Sequence, residues 1–359
     1  MVRRAAGVTW IAVLAFNAAL AEETAATQDV GPPPCSEASS GTSSGNSAQS
    51  EAGPQQCFWL DRTHEWLHTF LWGTSKRVDG WFGSQMPDDV YADQTRGSIT
   101  PVLLWDEFNG LSQKFRFRVK MPLPYLDERY NAFIGTFSPD EFVTERDQAS
   151  GAIPRQRTGG EIEDDETLLG VQFRDRPQGG GRFEADAGIR IRSPIDPFVK
   201  GGYRFAHRFA GSTLGTFRAT GFWQNSEGFG LTSRIDAERA LDNDSLIRWT
   251  ASATISQESE GVRGYSSLTM YRGLRGSRSV AGQLFTSGEF DAAVPLGEYG
   301  IRVAYRQRVW RDWLVLELRP SLTWPKDDPT QSRSASWGIG VGFEMFFGED
   351  EFQSRPATF

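Results

Sequence analysis

The chain has 359 residues, a formal net charge of −8, 38% hydrophobic and 13% aromatic residues, and a mean hydropathy of −0.45. The acidic balance argues against a nucleic-acid partner. After the N-terminus no window holds the roughly 18 consecutive apolar residues of a helical membrane span, which leaves two classes: a secreted globular protein, or a β-barrel in which only alternate strand residues face lipid.

Arg3 and Arg4 precede an apolar run from Ala5 to Leu20, and Ala19-Leu20-Ala21 supplies a small-x-small cleavage site before Glu22. Residues 1–21 therefore read as a Sec-type secretory signal peptide. No Cys follows the site, which argues against a lipid anchor, and the two arginines lack the downstream pattern of a twin-arginine signal.

Residues 22–57 are rich in Ser, Gly, Ala and Pro, lack apolar periodicity, and read as a disordered mature N-terminus. Cys35 and Cys57 bracket its second half. They form a candidate disulfide in an oxidising compartment, closing a loop of about 20 residues worth about 3 kcal/mol; the alternative is two free thiols.

Within 58–96, Leu60, Leu67, Leu71, Val78 and Phe82 recur at near-helical spacing, with Trp59, Trp66, Phe70 and Trp81 beside them. Asp61 stands where a cap is expected. This spacing predicts an amphipathic helix, interrupted at Gly73, that lies on the membrane, covers the periplasmic mouth or enters the barrel as a plug. His64-Glu65-Trp66-Leu67-His68 on it matches H-E-x-x-H, the zinc-protease pattern of two metal ligands and a general base. About 40 residues ahead of the barrel are too few to build a protease cleft, so an ordinary helix face is preferred and no metal or cofactor is assigned.

From Gly97 the period becomes two. Fourteen runs follow: 97–107, 112–121, 128–137, 166–175, 182–193, 197–209, 212–224, 229–240, 245–257, 261–273, 277–287, 298–310, 312–324 and 335–347. Most have the length of a tilted membrane strand. Turn residues such as Asn109-Gly110, Gly179-Gly180-Gly181 and Asp242-Asn243-Asp244 separate them. The two longest connections, 138–165 and 325–334, both leave odd-numbered runs, as long extracellular loops do. The expected fold is all-β: a closed antiparallel transmembrane barrel over 97–347, with a periplasmic tail at 348–359. Fourteen strands are expected. Twelve is the alternative, because Pro101 weakens the first run and the third alternates poorly.

The strand faces point the same way. Phe115, Phe117, Val119 and Met121 alternate with Lys114, Arg116, Arg118 and Lys120. Ile301, Val303, Tyr305 and Val309 alternate with Arg302, Arg306 and Arg308, and Trp337, Ile339, Val341, Phe343, Met345 and Phe347 form an apolar face of the last run. With the apolar face on lipid, the inward bases are Lys114, Arg116, Arg118, Lys120, Arg174, Arg182, Arg190, Arg192, Lys200, Arg204, Arg208, Arg218, Arg234, Arg248, Arg302, Arg306, Arg308 and Arg319. The inward acids are Glu184, Asp186, Asp236, Glu238, Glu317 and Glu344, which leaves an excess of twelve positive charges. Glu161, Glu163, Asp164, Asp165 and Glu166 fall to a loop on this count. Either the lumen attracts anions, with Lys114, Arg116, Arg118, Arg190, Arg192, Arg204, Arg218, Arg302, Arg306 and Arg308 as candidate lining residues, or the interior is plugged and arginines pair with acids. If the lumen is open, replacing Arg302 and Arg306 by Glu is expected to lower or reverse anion preference, provided neither pairs with Glu184, Asp186 or Glu317.

An outer-membrane lipid hydrolase would need a nucleophile, a His base and an orienting group. The barrel runs hold one histidine, His207, on the lipid-facing register, with Ser212 across a turn and no third member. No catalytic residue is assigned.

The pattern as a whole resembles proteobacterial outer-membrane β-barrels. The stretch from Trp81 to Phe137, with Asp79-Gly80-Trp81-Phe82-Gly83 and Lys114 to Pro122, is similar to a group of such proteins without an assigned function. The resemblance implies fold and location: the outer membrane of a Gram-negative bacterium, among lipid and lipopolysaccharide, after handling by the barrel-assembly machinery. Such barrels end on an aromatic residue of the last strand. Here twelve residues, including Pro356, separate Phe347 from Phe359, so both aromatics remain candidates for that signal. Two functions are left: a channel for small anionic solutes, or a non-transporting surface barrel that binds a partner or polysaccharide through 138–165.

Overall fold

The computed structural model describes residues 95–348, apart from 108–109, 124–125, 128, 138–165, 177–179, 210–212 and 276. Fourteen antiparallel strands close into one barrel, each paired with its sequence neighbours and β1 with β14. They are β1 (Arg96–Asp106), β2 (Gly110–Pro122), β3 (Tyr130–Phe137), β4 (Glu166–Arg174), β5 (Gly181–Ile191), β6 (Asp196–Arg208), β7 (Thr213–Gln224), β8 (Gly228–Ala240), β9 (Ser245–Ser256), β10 (Arg263–Leu274), β11 (Arg278–Glu289), β12 (Glu298–Arg308), β13 (Leu314–Pro325) and β14 (Ser336–Phe347). Closure removes the free edges that an open sheet of this size would expose.

Period-two alternation fixes which side chains face which way, and the two faces are easily told apart. Phe115 is 62% exposed while its neighbour Arg116 is 3% exposed. Leu111, Phe229, Leu231, Ile235, Ile301 and Trp337 share the outward face with Phe115, and the polar partners of each strand turn in. Reversing any one register by a single residue would swap both faces.

Pro101 has no N–H to give, yet β1 is a full strand. Its ring is exposed on the outward face, it stands opposite Phe115 of β2, and the β1–β14 ladder skips from Ile99 to Val102. The missing donor costs one local pairing and not the strand. Tight turns need positive φ at two glycines: Gly110 (75°) opens β2 and Gly228 (68°) opens β8.

Both chain ends of the barrel, Arg96 and Phe347, lie at one end. The connections at that end are short, between three and seven residues. The other end carries the longer ones, 138–165 and 326–335 among them.

β3 breaks the simple pattern. The β2–β3 register sets Phe133 opposite Lys120 and Gly135 opposite Arg118, so Phe133 and Phe137 point inward. They pack on Leu168, Phe198 and Phe222, an apolar cluster on the inner wall. Val102 and Leu104 of β1 also face in and are buried. Near the terminal end, Val119, Met121, Leu123, Ala132 and Phe347 form a second buried apolar cluster, with Val119, Met121 and Phe347 at outward positions. Small residues make the inner cluster possible: the ring of Phe133 lies over Gly170 directly opposite, and Phe222 lies over Gly230.

The segment 22–57 expected to be disordered, Cys35 and Cys57, the helix expected within 58–96, His64 and His68, residues 138–165 with Glu161, Glu163, Asp164 and Asp165, and the residues beyond 348 lie outside the described residues.

Candidate functional site: the inner wall of the barrel

The strand register places all of Lys114, Arg116, Arg118, Arg190, Arg204, Arg218, Arg302, Arg306 and Arg308 at inward positions, and Arg192 just past the end of β5. Among the described residues nineteen basic side chains occupy inward strand positions, Arg96 and Arg263 included. Eleven acids face them: Asp106, Glu166, Glu184, Asp186, Asp196, Asp236, Glu238, Glu289, Glu298, Glu317 and Glu344. The excess is therefore eight, not twelve. The five added acids, Asp106, Glu166, Asp196, Glu289 and Glu298, sit at the first or last residue of a strand. Glu166 in particular is the first residue of β4 and belongs to the wall rather than a loop. Asp106, Glu166 and Glu298 already stand inside the runs 97–107, 166–175 and 298–310, and Asp196 and Glu289 lie within two residues of 197–209 and 277–287, so carrying the alternation to both ends of each strand finds them.

The wall divides into two sectors. Around β12–β14 the charges are paired. Arg302 lies 3.5 Å from Glu298 and stacks 3.8 Å over the ring of Phe285. Arg306 donates to Glu344 at 2.6 Å and stands 3.5 Å from Glu317, and Arg319 lies 2.5 Å from the other oxygen of Glu317. Glu317 and Thr323 have no exposed surface. Stacking and pairing of this kind suit a planar, delocalised guanidinium better than an ammonium group.

The sector from β4 to β8 is mixed. Toward the loop-rich end, Arg190 reaches Glu166 at 2.7 Å and also donates to Gln224, while Arg192 reaches Asp196 at 3.0 Å. Below them Lys120 donates to Gln172, Gln172 donates to Asp186 at 3.3 Å, and Lys200 lies 3.0 Å from the same carboxylate. Farther down, Arg182 of β5, Arg204 of β6, Arg218 of β7 and Arg234 of β8 stand directly opposite one another in sequence. Arg182 pairs with Glu184, and Arg234 forks onto Asp236 through two bonds of 2.8 Å. Arg118, on the far side of β3, stacks over Phe137 at 5.3 Å.

His207 is exposed on the outward face, stacked on Phe205 and edge-on to Phe209. Among the described residues no group of three or more His, Cys, Asp or Glu could hold a metal ion.

No family model matches the chain, and no curated protein does. Solved structures that share the barrel architecture include the anion-selective porin from Comamonas acidovorans, with 10% identity over 71% of this chain and 99% of that one and a TM-score of 0.43. Salmonella typhi OmpF in complex with daunomycin has 8% identity over 74% and 100% of the chains and a TM-score of 0.48. The outer membrane protein opdK from Pseudomonas aeruginosa has 9% identity over 72% and 100% and a TM-score of 0.42.

Proposed function

We propose that the chain is an outer-membrane channel for small anionic solutes. The observation that carries this is the pair of faces on one closed wall: large apolar side chains outward around the barrel, and inward charges with an excess of eight positive. Closed strand pairing leaves no free sheet edge to meet lipid, so the apolar exterior belongs in a bilayer and the polar interior in water. The signal peptide expected at 1–21 fits Sec export to a Gram-negative outer membrane, with lipid and lipopolysaccharide around the wall and the barrel-assembly machinery as the insertion partner. The terminal end with short turns is then periplasmic and the loop-rich end extracellular. Between low-dielectric walls the positive excess is screened less than on an open surface, which raises the local concentration of anions.

A second function has one observation in its favour. The paired guanidinium groups of β12–β14 and the buried Glu317 and Thr323 are what a closed interior would contain. The barrel would then serve as a surface protein that binds a partner through 138–165. Reconstitution in planar bilayers separates the two. A salt gradient across an anion channel gives a reversal potential set by chloride. Cation preference at low salt would overturn the anionic proposal, and the absence of any conductance would favour the closed barrel.

A further inference from the structure

We infer that the outer wall at the periplasmic end of β8–β11 binds the headgroup of an anionic phospholipid, at arginines centred on the β10–β11 hairpin. Among the described residues the outward strand positions of the whole barrel carry three charged side chains, and all three are arginines: Arg239 on β8, Arg272 on β10 and Arg278 on β11. Each lies within three residues of the strand end that carries the short turns. Each is exposed, and none makes a hydrogen bond or ion pair among the described residues. Arg275, in the turn between β10 and β11, is exposed and equally without one. A cation on the lipid-facing wall is costly at mid-depth and tolerated only near the interface. Interfacial anchoring alone would scatter such residues around the wall. Here the other eleven strands carry no charged side chain at an outward position, and one sector carries all three.

The register brings two of them close. Arg272 stands opposite Val280 and Arg278 opposite Leu274, so the two arginines are diagonal neighbours on paired strands, about 7–8 Å apart. Their stems run beside apolar Val280 and Leu274 and carry the guanidinium groups toward the headgroup level. Like charges at that spacing repel, and a phosphate between them accepts from both. Gln307 stands opposite Arg278 on its other side; its carbonyl oxygen accepts from the Tyr305 hydroxyl at 2.8 Å, which turns its amide N–H groups to donation. Asp242, in the β8–β9 turn, interacts with Arg272 through charge alone, and its carboxylate accepts the N–H of Asp244 at 2.9 Å. The sector thus offers donors and positive charge, the complement of a phosphodiester. The headgroup must also be net negative, because the ammonium of a zwitterionic headgroup would meet the same arginines and be repelled. The site rests on the lipid-facing reading of the outer wall and does not depend on whether the lumen conducts.

The test is native mass spectrometry on the full mature chain in detergent, counting lipid adducts as phosphatidylglycerol or phosphatidylcholine with the same acyl chains is added. Wild type should bind phosphatidylglycerol saturably and at least tenfold more tightly than phosphatidylcholine. Arg272→Gln with Arg278→Gln should weaken phosphatidylglycerol by about thirtyfold, the product of two losses of roughly fivefold, and leave phosphatidylcholine unchanged. Arg272→Lys with Arg278→Lys keeps the charge without the fork and should fall between. Lys326→Gln, the same loss of charge between β13 and β14 at the opposite end, should bind like wild type. Circular dichroism and melting confirm that each variant is folded; should the double Gln variant not fold, the double Lys variant carries the comparison. Equal binding of the two lipids by folded wild type, or phosphatidylglycerol binding unchanged in the double variants, would overturn the site. Displacement of the lipid by an equal concentration of inorganic phosphate would assign the arginines to a free anion, and tighter binding of lipid A would assign them to the other leaflet; either overturns the phospholipid. Phosphatidylcholine adducts that persist in every variant show the wall still meeting lipid, so loss of the headgroup site is read apart from failure of the lipid-facing assignment.

Discussion

Arg306 on β12 donates to Glu344 on β14 at 2.6 Å, reaching across the intervening β13, whose Glu317 lies 3.5 Å from the same guanidinium. One side chain thus ties three strands together beside the seam where β14 meets β1. Removing it takes the 2.6 Å partner from Glu344 and leaves Glu317 with Arg319 alone, and both carboxylates are almost wholly buried. Breaking a buried pair from one side costs about 3–5 kcal/mol, more than the pair itself contributes. Arg306→Leu should lower the unfolding free energy in urea by that order. Arg306→Leu with Glu344→Leu should recover part of it, since fewer charges are left unmatched. A single variant within about 0.5 kcal/mol of wild type would show that water in the lumen already solvates these groups.

The same contacts change which arginines should govern selectivity. From sequence, Arg302 and Arg306 were natural targets provided neither met Glu317; Arg306 does meet it, and Arg302 is held by Glu298 and Phe285. Their charges are locally offset. Arg204 makes no hydrogen bond or ion pair among the described residues, so Arg204→Glu should shift the reversal potential toward cations further than Arg302→Glu, compared among variants that insert and conduct. An equal shift from both would mean that total lumen charge, and not the β5–β8 sector, sets the preference.

The barrel was legible because alternation survives even where composition is ordinary. β2 and β14 show both faces unaided, and the fourteen runs fall on the fourteen strands to within a few residues at each end. β3 resisted because it is apolar on both sides: Phe133 and Phe137 face in, while Ala132 and Ile134 face out. Period two separates faces but cannot say which apolar face meets lipid. The acids at strand ends were missed because turn and strand composition overlap there. The pairing of Arg306 with β14 and the Arg182–Arg204–Arg218–Arg234 row were out of reach, because they depend on registers set by turn geometry between strands.

The lipid-facing assignment is open to a depth test. Ile235 lies mid-way along β8, 46% exposed on the outward face, next to inward Arg234. Ile235→Arg should destabilise the barrel in lipid by about 2–4 kcal/mol, the cost of a cation at the bilayer midplane. A basic side chain already stands at an outward position near the end of β8, Arg239, and the control Arg239→Lys should cost under about 1 kcal/mol. If Ile235→Arg unfolds no more easily in vesicles than in water-rich micelles, that face does not meet hydrocarbon.

The turns outside the strands carry a pH dependence of their own. Asp127 accepts from the side chain and backbone N–H of Arg129, and Asp328 from the hydroxyl and N–H of Thr330. These bonds favour the ionised form and hold both carboxyls below their ordinary value. A carboxyl lowered in the folded state adds order that is fully present above its unfolded pKa and is lost as pH falls through the folded one. The two turns should thus stay closed above about pH 4 and open below it, seen as accelerated amide exchange at Arg129 and Thr330. Asp127→Asn should remove the pH dependence at Arg129 alone; persistence in that variant would assign the transition to another group.

Phe222 and Gly230 offer the sharpest test of how the inner wall is packed. They stand directly opposite on β7 and β8, both inward, and the Phe222 ring lies over the glycine so closely that a Cβ there would run into three ring carbons. The ring tip is held on one side, while Leu168 and Phe198 hold the rest of the ring. Gly230→Val must push the ring off the wall, because neither the opposing backbone nor the cluster behind it can retreat far. Overpacking of this kind costs about 1–3 kcal/mol. The ring has one direction left to move, into the lumen, so single-channel conductance should fall together with stability. Gly230→Val with Phe222→Ala removes the collision and should restore conductance to wild type or above, while leaving a stability deficit from the lost aromatic contacts. Unchanged conductance in Gly230→Val, with the stability loss present, would place the ion path away from the β7–β8 wall.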